Sequence, residues 1–184
     1  MIVGITGWFA SGKDTVADYL QEKGFKVFSL SDVIRDHLRL EGKELSRDNL
    51  RVKGNELRDQ FGASFLAEQA LKKISEDQSG SNYVIPSVRQ MGEVEMLRQE
   101  PSFKLWAVDA PSRLRHQRLL ERARTADEKD LSFDDFKAKE EQEKGGGPNC
   151  QQVDKVIEAA DLTLDNGGSF ENLYKQIDNL IGEK

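Results

Sequence analysis

The chain has little cysteine and no long apolar run. Cys150 is the one cysteine among 184 residues, so an internal disulfide is excluded and a reducing, cytoplasmic compartment is expected. The apolar runs are far shorter than the roughly 18 residues that predict a membrane-spanning helix. The first five residues lack the positive region and small-residue cleavage site of a signal peptide, so they predict a strand. We therefore expect neither a disulfide-stabilised secreted domain nor a membrane protein.

The chain also has fewer basic than acidic residues. The chain has 27 Lys and Arg against 33 Asp and Glu, which gives a formal net charge of −6. That balance disfavours nucleic acid as a partner, although it leaves room for local basic pockets. The length is sufficient for one domain, residues 1–184, with a sizeable core. The oligomeric state stays open.

Apolar runs alternate with helical patterns along the chain. Strands are predicted at 2–6, 26–30, 83–86, 103–108 and 162–165, with amphipathic helices between them. This alternation predicts an α/β fold, a five-stranded parallel sheet with helices on both faces in three layers. Two segments look like insertions: helical residues 36–75, punctuated by Gly42, Gly54 and Gly62, and residues 123–148.

The second insertion is strongly acidic. Residues 127–144 contain eight acids and four lysines and are predicted to be too polar for a core. We interpret the segment as a mobile helical lid with a glycine hinge at 145–147, or alternatively as a solvated surface hairpin. Ser132 and Asp135 have the spacing of a helix-capping box.

The strongest motif lies between the first strand and the first helix, where residues 7–15 read Gly-Trp-Phe-Ala-Ser-Gly-Lys-Asp-Thr. Glycines let backbone N–H groups converge on phosphate oxygens, and the following helix N-terminus favours an anion. A lysine at this place reaches the β- and γ-phosphates of a nucleotide. The motif predicts a nucleotide site formed by Gly7, Ala10, Ser11, Gly12, Lys13, Asp14 and Thr15.

The hydroxyl residue of this loop comes one position later than in the usual Gly-Lys-Ser/Thr pattern. Many nucleoside monophosphate kinases have Gly-Lys-Gly-Thr, and Lys13-Asp14-Thr15 resembles that spacing. The resemblance implies a magnesium ion near Thr15, to which Asp14 would add a carboxylate. Trp8 and Phe9 are unusual in such a loop; they either pack on neighbouring elements or cover a bound base.

A second motif follows the second strand. Ser29-Leu30-Ser31-Asp32-Val33-Ile34-Arg35 resembles the Ser-x-Gly-Asp-x-x-Arg stretch of adenylate kinases. The resemblance implies that Ser31 and Arg35 bind an acceptor phosphate and that Asp32 organises magnesium-bound water and acts in catalysis. A carboxylate after a parallel strand faces the ligand crevice. The alternative is an Asp helix cap followed by a surface arginine.

The third strand ends in Val84-Ile85-Pro86-Ser87-Val88-Arg89, where adenylate kinases have Asp-Gly-Phe-Pro-Arg. Archaeal adenylate-kinase-related ATPases have Asp-Gly-Ile-Arg and then a Glu-Val-Glu segment, which resembles residues 92–95. Arg89 is therefore predicted to bind the acceptor phosphate, together with Arg58 of the first insertion. The family's acid is missing at Pro86-Ser87, which leaves metal organisation to Asp14 and Asp32.

The segment after the fourth strand is rich in arginine. Residues 113–124 have five arginines and one acid, a local charge of +4. The stretch from Val108 resembles both adenylate kinases and dephospho-coenzyme A kinases. The resemblance implies that Arg118 lies against adenine and that Arg122 and Arg124 stabilise the transferring phosphate. We interpret Arg113 and Arg115 as a solvated face.

A loop near the adenine is implied at residues 164–168 as well. Asn166 and Gly167 are its candidates, and a left-handed turn into the last helix is the alternative. Together these motifs predict an ATP- and Mg²⁺-dependent kinase whose acceptor is a small molecule, a nucleoside or deoxynucleoside monophosphate. Transfer to a ribose hydroxyl, as in dephospho-coenzyme A kinases, and a nucleotide-binding regulatory ATPase are the alternatives.

Overall fold

The chain folds around a five-stranded sheet. The computed structural model describes residues 1–122, 126–144, 147 and 149–182. The strands are β1 Ile2–Thr6, β2 Lys26–Val27, β3 Tyr83–Pro86, β4 Phe103–Asp109 and β5 Leu162–Asp165. All pairings are parallel and the strand order is β2-β3-β1-β4-β5. The predicted fold class is confirmed, although β2 is shorter than predicted because a helix already begins at Leu30.

Helices connect the strands. They are α1 Lys13–Glu22, α2 Leu30–Leu40, α3 Arg47–Phe61, α4 Phe65–Glu76, α5 Met91–Leu97, α6 Ser112–Arg122, α7 Ala126–Lys129, α8 Phe133–Glu143, α9 Val153–Glu158 and α10 Phe170–Ile181. Serine side chains accept the N-terminal N–H bonds of α3, α8 and α10, and the predicted cap at Ser132 is among them. No pattern had predicted α5, where the Gln90 side chain provides the cap.

Two apolar clusters flank the sheet. Val3 and Ile5 of β1 pack with α1 and α10, while Ile2 packs on the opposite side with α2 to α5. The alternation follows from the period of two along a strand, because successive side chains point to opposite faces. The three-layer arrangement places the carboxyl ends of the strands at one edge of the sheet, where ligands bind in open α/β folds.

A third cluster lies beneath the acidic insertion. Phe136 of α8 is fully buried and stacks on Phe9, with 5.6 Å between ring centroids, and both pack with Leu119 of α6. The prediction that residues 127–144 are too polar for a core is therefore wrong. One aromatic face of an otherwise charged helix is enough to attach it, and α8 is packed against the phosphate-binding loop.

Glycine predictions in the first insertion have different outcomes. Gly42 and Gly62 have positive φ and lie between helices, as expected of punctuation. Gly54 instead lies inside α3, where an added Cβ would be 3.0 Å from Ile34 Cδ1, so its small size lets α2 and α3 approach closely. Within the described part of the chain, we find no helix with the length and apolar character to cross a membrane.

Candidate functional site

A cavity of about 1100 Å³ opens at the carboxyl edge of the sheet. Residues 9–15 of the predicted phosphate loop line it, together with side chains from α2, α3, α6, α8 and the loop before α10. The cavity is at or above the upper end of the range typical of ligand sites, roughly 300 to 1000 Å³. Its size leaves room for two ligands.

The phosphate loop has the backbone geometry that its glycines predict. Gly7 has φ 142° and Gly12 has φ 102°, both in the region that favours glycine. An added Cβ would lie 2.3 Å from the Val108 carbonyl oxygen at Gly7, and 2.1 Å from Asn166 Nδ2 at Gly12. Gly7 therefore lets the loop pack closely on β4, and it does not line the cavity. Gly12 is the N-cap of α1 and lets Asn166 approach the loop closely.

Lys13 is the central cation of the loop. Its ammonium donates to the carbonyl oxygens of Gly7 and Trp8, both at 2.7 Å. Burial lowers the pKa of Lys13 to about 7, and the nearby positive charges of Arg89 and Arg47 contribute to this lowering, against the opposing effect of Glu143. The protein thus holds a lysine whose charge is poorly compensated, as expected of a group that binds phosphate.

Two arginines and one carboxylate line the cavity near Lys13. Arg47 pairs with Glu143 through Nη2 and Oε1, and Arg89 Nη1 lies 3.6 Å from the same oxygen. Burial would raise the pKa of Glu143, but Arg47, Arg89 and Lys13 together lower it below its usual value. Glu143, at the end of α8, is therefore an internal anion held among cations of three separate elements.

Sequence reasoning missed Arg47. It begins α3, and its guanidinium lies over the ring of Phe9, 3.4 Å from the centroid. Arg47, Arg51 and Arg58 all line the cavity. Their spacing of four and seven places them on one helical face, and this period is the signal that could have identified Arg47.

Arg89 and Arg58 are both organised by a buried glutamate. Glu93 of α5 accepts the backbone N–H of Arg89 at 2.9 Å and two guanidinium N–H bonds from Arg58, at 3.0 and 2.7 Å. Glu93 is fully buried and Arg58 is 2% exposed. Arg58 reaches the cavity wall with much of its hydrogen-bonding capacity already used, whereas the Arg89 side chain extends towards Glu143.

The motif after β2 is brought only partly to the cavity. Ser31 and Arg35 line it, but Asp32 does not. The Asp32 side chain is 61% exposed and pairs with Arg35 Nη1 at 2.6 Å. Because β2 ends early, Asp32 lies in the first turn of α2 on its solvent side, so the structure does not bring it to the predicted catalytic and metal-binding position.

Asn166, which is 1% exposed, lines the cavity next to the phosphate loop. Its Nδ2 donates to the Ser11 carbonyl oxygen at 2.8 Å, and its backbone carbonyl oxygen accepts from Arg118 Nη1 at 2.8 Å. Gly167 does not line the cavity, and its N–H donates to Asp165 Oδ1. The alternative of a left-handed turn here is wrong, because neither Gly167 nor Gly168 has positive φ.

Oxygen ligands suitable for a magnesium ion lie beside Lys13. Thr15 and Asp14 line the cavity, and Asp14 Oδ2 is 3.9 Å from Arg122 Nη1. A hydroxyl and a carboxylate next to a phosphate site fit a cation that takes its remaining ligands from phosphate and water. In the described ranges, no three His, Cys, Asp or Glu side chains form a metal cluster. The predicted catalytic residue Arg124 lies outside the described residues.

The sequence predicted that Arg115 lies on a solvated face, but the structure shows that it is buried. It is 4% exposed, donates to the Ala110 carbonyl oxygen at 2.7 Å and the Phe9 carbonyl oxygen at 3.1 Å, and pairs with Glu140 of α8. Arg115 therefore ties the phosphate loop to the acidic insertion. Phe9, 3% exposed, packs on α8.

Comparisons with known proteins show the family of this chain. Residues 3–144 match the AAA domain family. A UPF0200 protein from Thermococcus kodakarensis is 32% identical over 187 residues, which cover 100% of this chain and 97% of the relative.

Two solved structures share the fold. TT1252 from Thermus thermophilus has a TM-score of 0.63 at 21% identity, over 99% of this chain and 96% of its own. A shikimate kinase from Bacteroides thetaiotaomicron has a TM-score of 0.60 at 14% identity, over 99% and 98%. The fold is thus the α/β P-loop fold of kinases and other NTPases, and the chain belongs to the AAA domain family and to the UPF0200 family.

Proposed function

We propose that the protein transfers a phosphoryl group from ATP, with Mg²⁺, to a small phosphorylated acceptor, a nucleoside or deoxynucleoside monophosphate. One observation carries the proposal: Lys13 of the phosphate loop and two guanidinium groups from α3 and the β3 end surround a single buried anion, Glu143. A site that binds only ATP does not need arginines on the side facing α3. A second phosphate gives them a ligand.

The proposed reaction needs alignment and charge neutralisation more than acid–base chemistry. The loop N–H groups and Lys13 would hold the ATP phosphates, while Arg89 and Arg47 hold the acceptor phosphate in line with the γ-phosphate. Thr15 and Asp14 would hold Mg²⁺, which neutralises charge on the β- and γ-phosphate oxygens. The packed α8 covers the loop and limits access of water.

Transfer to a ribose hydroxyl, the dephospho-coenzyme A kinase alternative, fits less well. A hydroxyl acceptor calls for a general base in the cavity. Asp32 lies outside the cavity lining, and the pKa of Glu143 is lowered by its arginine and lysine neighbours, which makes it a weak base. An ionised phosphate acceptor has no proton to give up, so its phosphorylation requires neither Asp32 nor Glu143 to act as a base.

A nucleotide-binding regulatory ATPase is the candidate of another class. Pro86-Ser87 provides no carboxylate at the end of β3, and both Arg47 and Arg89 already have Glu143 as an anionic partner. Such a protein would bind and hydrolyse ATP at a rate that no acceptor changes.

Turnover with a panel of nucleoside and deoxynucleoside monophosphates, and with dephospho-coenzyme A, separates these functions. We expect ADP formation that depends on one monophosphate, is lost in Lys13→Ala, and has a raised acceptor KM in Arg89→Ala. Arg39→Ala is the matched control, because that arginine is exposed on α2 and, among the residues described, forms its ion pair with the neighbouring Asp36. Turnover with dephospho-coenzyme A alone, or an ATPase rate that no acceptor changes, would reject the monophosphate proposal.

A further inference from the structure

An unpartnered polar side chain lies in the wall of the cavity beyond the phosphate site. Gln151 is 5% exposed and lines the cavity, and its Oε1 accepts no hydrogen bond within the described residues. A buried amide oxygen without a partner destabilises the fold, so native structures contain few of them. The segment is nevertheless held firmly, because the N–H of the next residue, Gln152, donates to the Arg89 carbonyl oxygen at 2.8 Å.

Arg51 and Ser87 also line this cavity. Arg51 Nε of α3 is buried without a hydrogen-bond partner in the described part of the chain. Ser87 has φ 67°, a left-handed conformation that non-glycine residues adopt at some cost. Ser87 and Arg89 are two residues apart, and Gln152 bonds to the Arg89 backbone. Unsatisfied donors and acceptors together with strain are typical of sites that a ligand completes.

We propose that Gln151 and Arg51 form a polar subsite that recognises the part of the acceptor beyond its phosphate. The proposal rests on the proposed function and deepens it. Gln151 Oε1 needs an N–H or O–H donor, and Arg51 Nε needs an acceptor oxygen or ring nitrogen. The hydrogen-bonding edge of a nucleobase carries both donors and acceptors, and a glutamine carboxamide can pair with such an edge at two points.

The position agrees with an acceptor anchored through its phosphate. Arg89 contacts Glu143 on one side, where a phosphate would bind, and its backbone contacts the Gln151–Gln152 segment on the other. Arg89 therefore links the place proposed for the acceptor phosphate to the segment that carries Gln151. Asn166 and Arg118, which we assign to the ATP base, bond to each other and, through Asn166, to Ser11 of the phosphate loop.

The test substitutes methionine for Gln151, which keeps the unbranched shape and removes the amide. Gln152→Met is the matched control, because that side chain makes no capping bond and does not line the cavity. Calorimetric binding of AMP, GMP, CMP and UMP, and separately of ATP, is measured for each protein. For Gln151→Met we expect a roughly tenfold weaker Kd for the preferred monophosphate, an unchanged Kd for ATP, and a midpoint of thermal unfolding no lower than that of the unaltered protein.

The outcomes distinguish the two proposals. If the unaltered protein turns over a monophosphate whose Kd is the same in Gln151→Met, the subsite is rejected and the function stands. If no monophosphate binds the unaltered protein, both proposals fail. A lower unfolding temperature in Gln151→Met would mean that a buried water or the protein itself satisfies the amide, which also overturns the subsite.

Discussion

Binding of ATP should be coupled to uptake of a proton by Lys13. In the free protein, burial first and then Arg89 and Arg47 hold the pKa of this lysine at about 7. A bound triphosphate places several negative charges beside the ammonium and raises the pKa again. At pH 8, a group with a pKa of about 7 is about nine-tenths neutral, so we expect uptake of about 0.9 proton per ATP bound.

Titration calorimetry at pH 8 in buffers of different ionisation enthalpy measures this uptake directly. At pH 6 the uptake should fall to about 0.1 proton, because Lys13 is already charged. Lys13→Arg is the control, since arginine stays protonated in both states. Binding heats at pH 8 that are the same in all buffers would refute the argument that Lys13 is neutral in the free protein.

The same pKa has a consequence for stability. Because the folded-state pKa lies below the ordinary value of 10.5, the unfolded chain binds more protons between about pH 7 and pH 10.5. The free energy of unfolding therefore rises with pH through that window, by at most about 1.4 kcal/mol per pH unit from this group. In urea denaturation, the free energy of unfolding of Lys13→Met should rise less with pH than that of the unaltered protein, because the variant lacks this ionisable group.

Two predictions concern α8. Glu143→Gln removes the anion between Arg47 and Arg89, so the free energy of unfolding measured by urea denaturation should fall by about 3 to 5 kcal/mol. Phosphate binding measured by calorimetry should become tighter. Weaker phosphate binding would mean that Glu143 positions the arginines instead. Arg115→Met leaves buried Glu140 without that partner and should cost a similar amount, whereas Arg113→Met, at an exposed position, should change stability by less than about 0.5 kcal/mol.

The sheet and the phosphate loop were predictable because their signals are local. Residues 2–6 and 83–86 are short apolar runs bounded by turns, and Gly7 and Gly12 have the positive φ that a loop at a helix N-terminus requires. Asp32 was predicted from the same kind of local signal and lies elsewhere. Its position depends on where β2 ends. Because β2 ends three residues earlier than predicted, Asp32 lies within a helix, and its side chain is rotated away from the cavity.

The cationic network could not be predicted, because it depends on contacts between distant segments. Arg47 and Glu143 are 96 residues apart, and Arg115 and Glu140 are on separate helices. Composition also predicted the wrong environment for Arg115 and Glu140. The basic helix and the acidic stretch that contain them were each predicted to be exposed to solvent. Buried charges occur in pairs, so an isolated run of one sign says little about burial until its partner is known.

The acidic insertion and the phosphate site are therefore parts of one electrostatic unit. Glu143 already pairs with Arg47 and Arg89, so a phosphate that enters must displace this carboxylate or share its arginines. Attachment of α8 does not depend on Glu143 alone, because Phe136 on Phe9 and Arg115 with Glu140 hold the same helix to the loop. Anion binding can thus exchange one contact of α8 while the helix stays over the loop, so the cover over the phosphates is kept during the exchange.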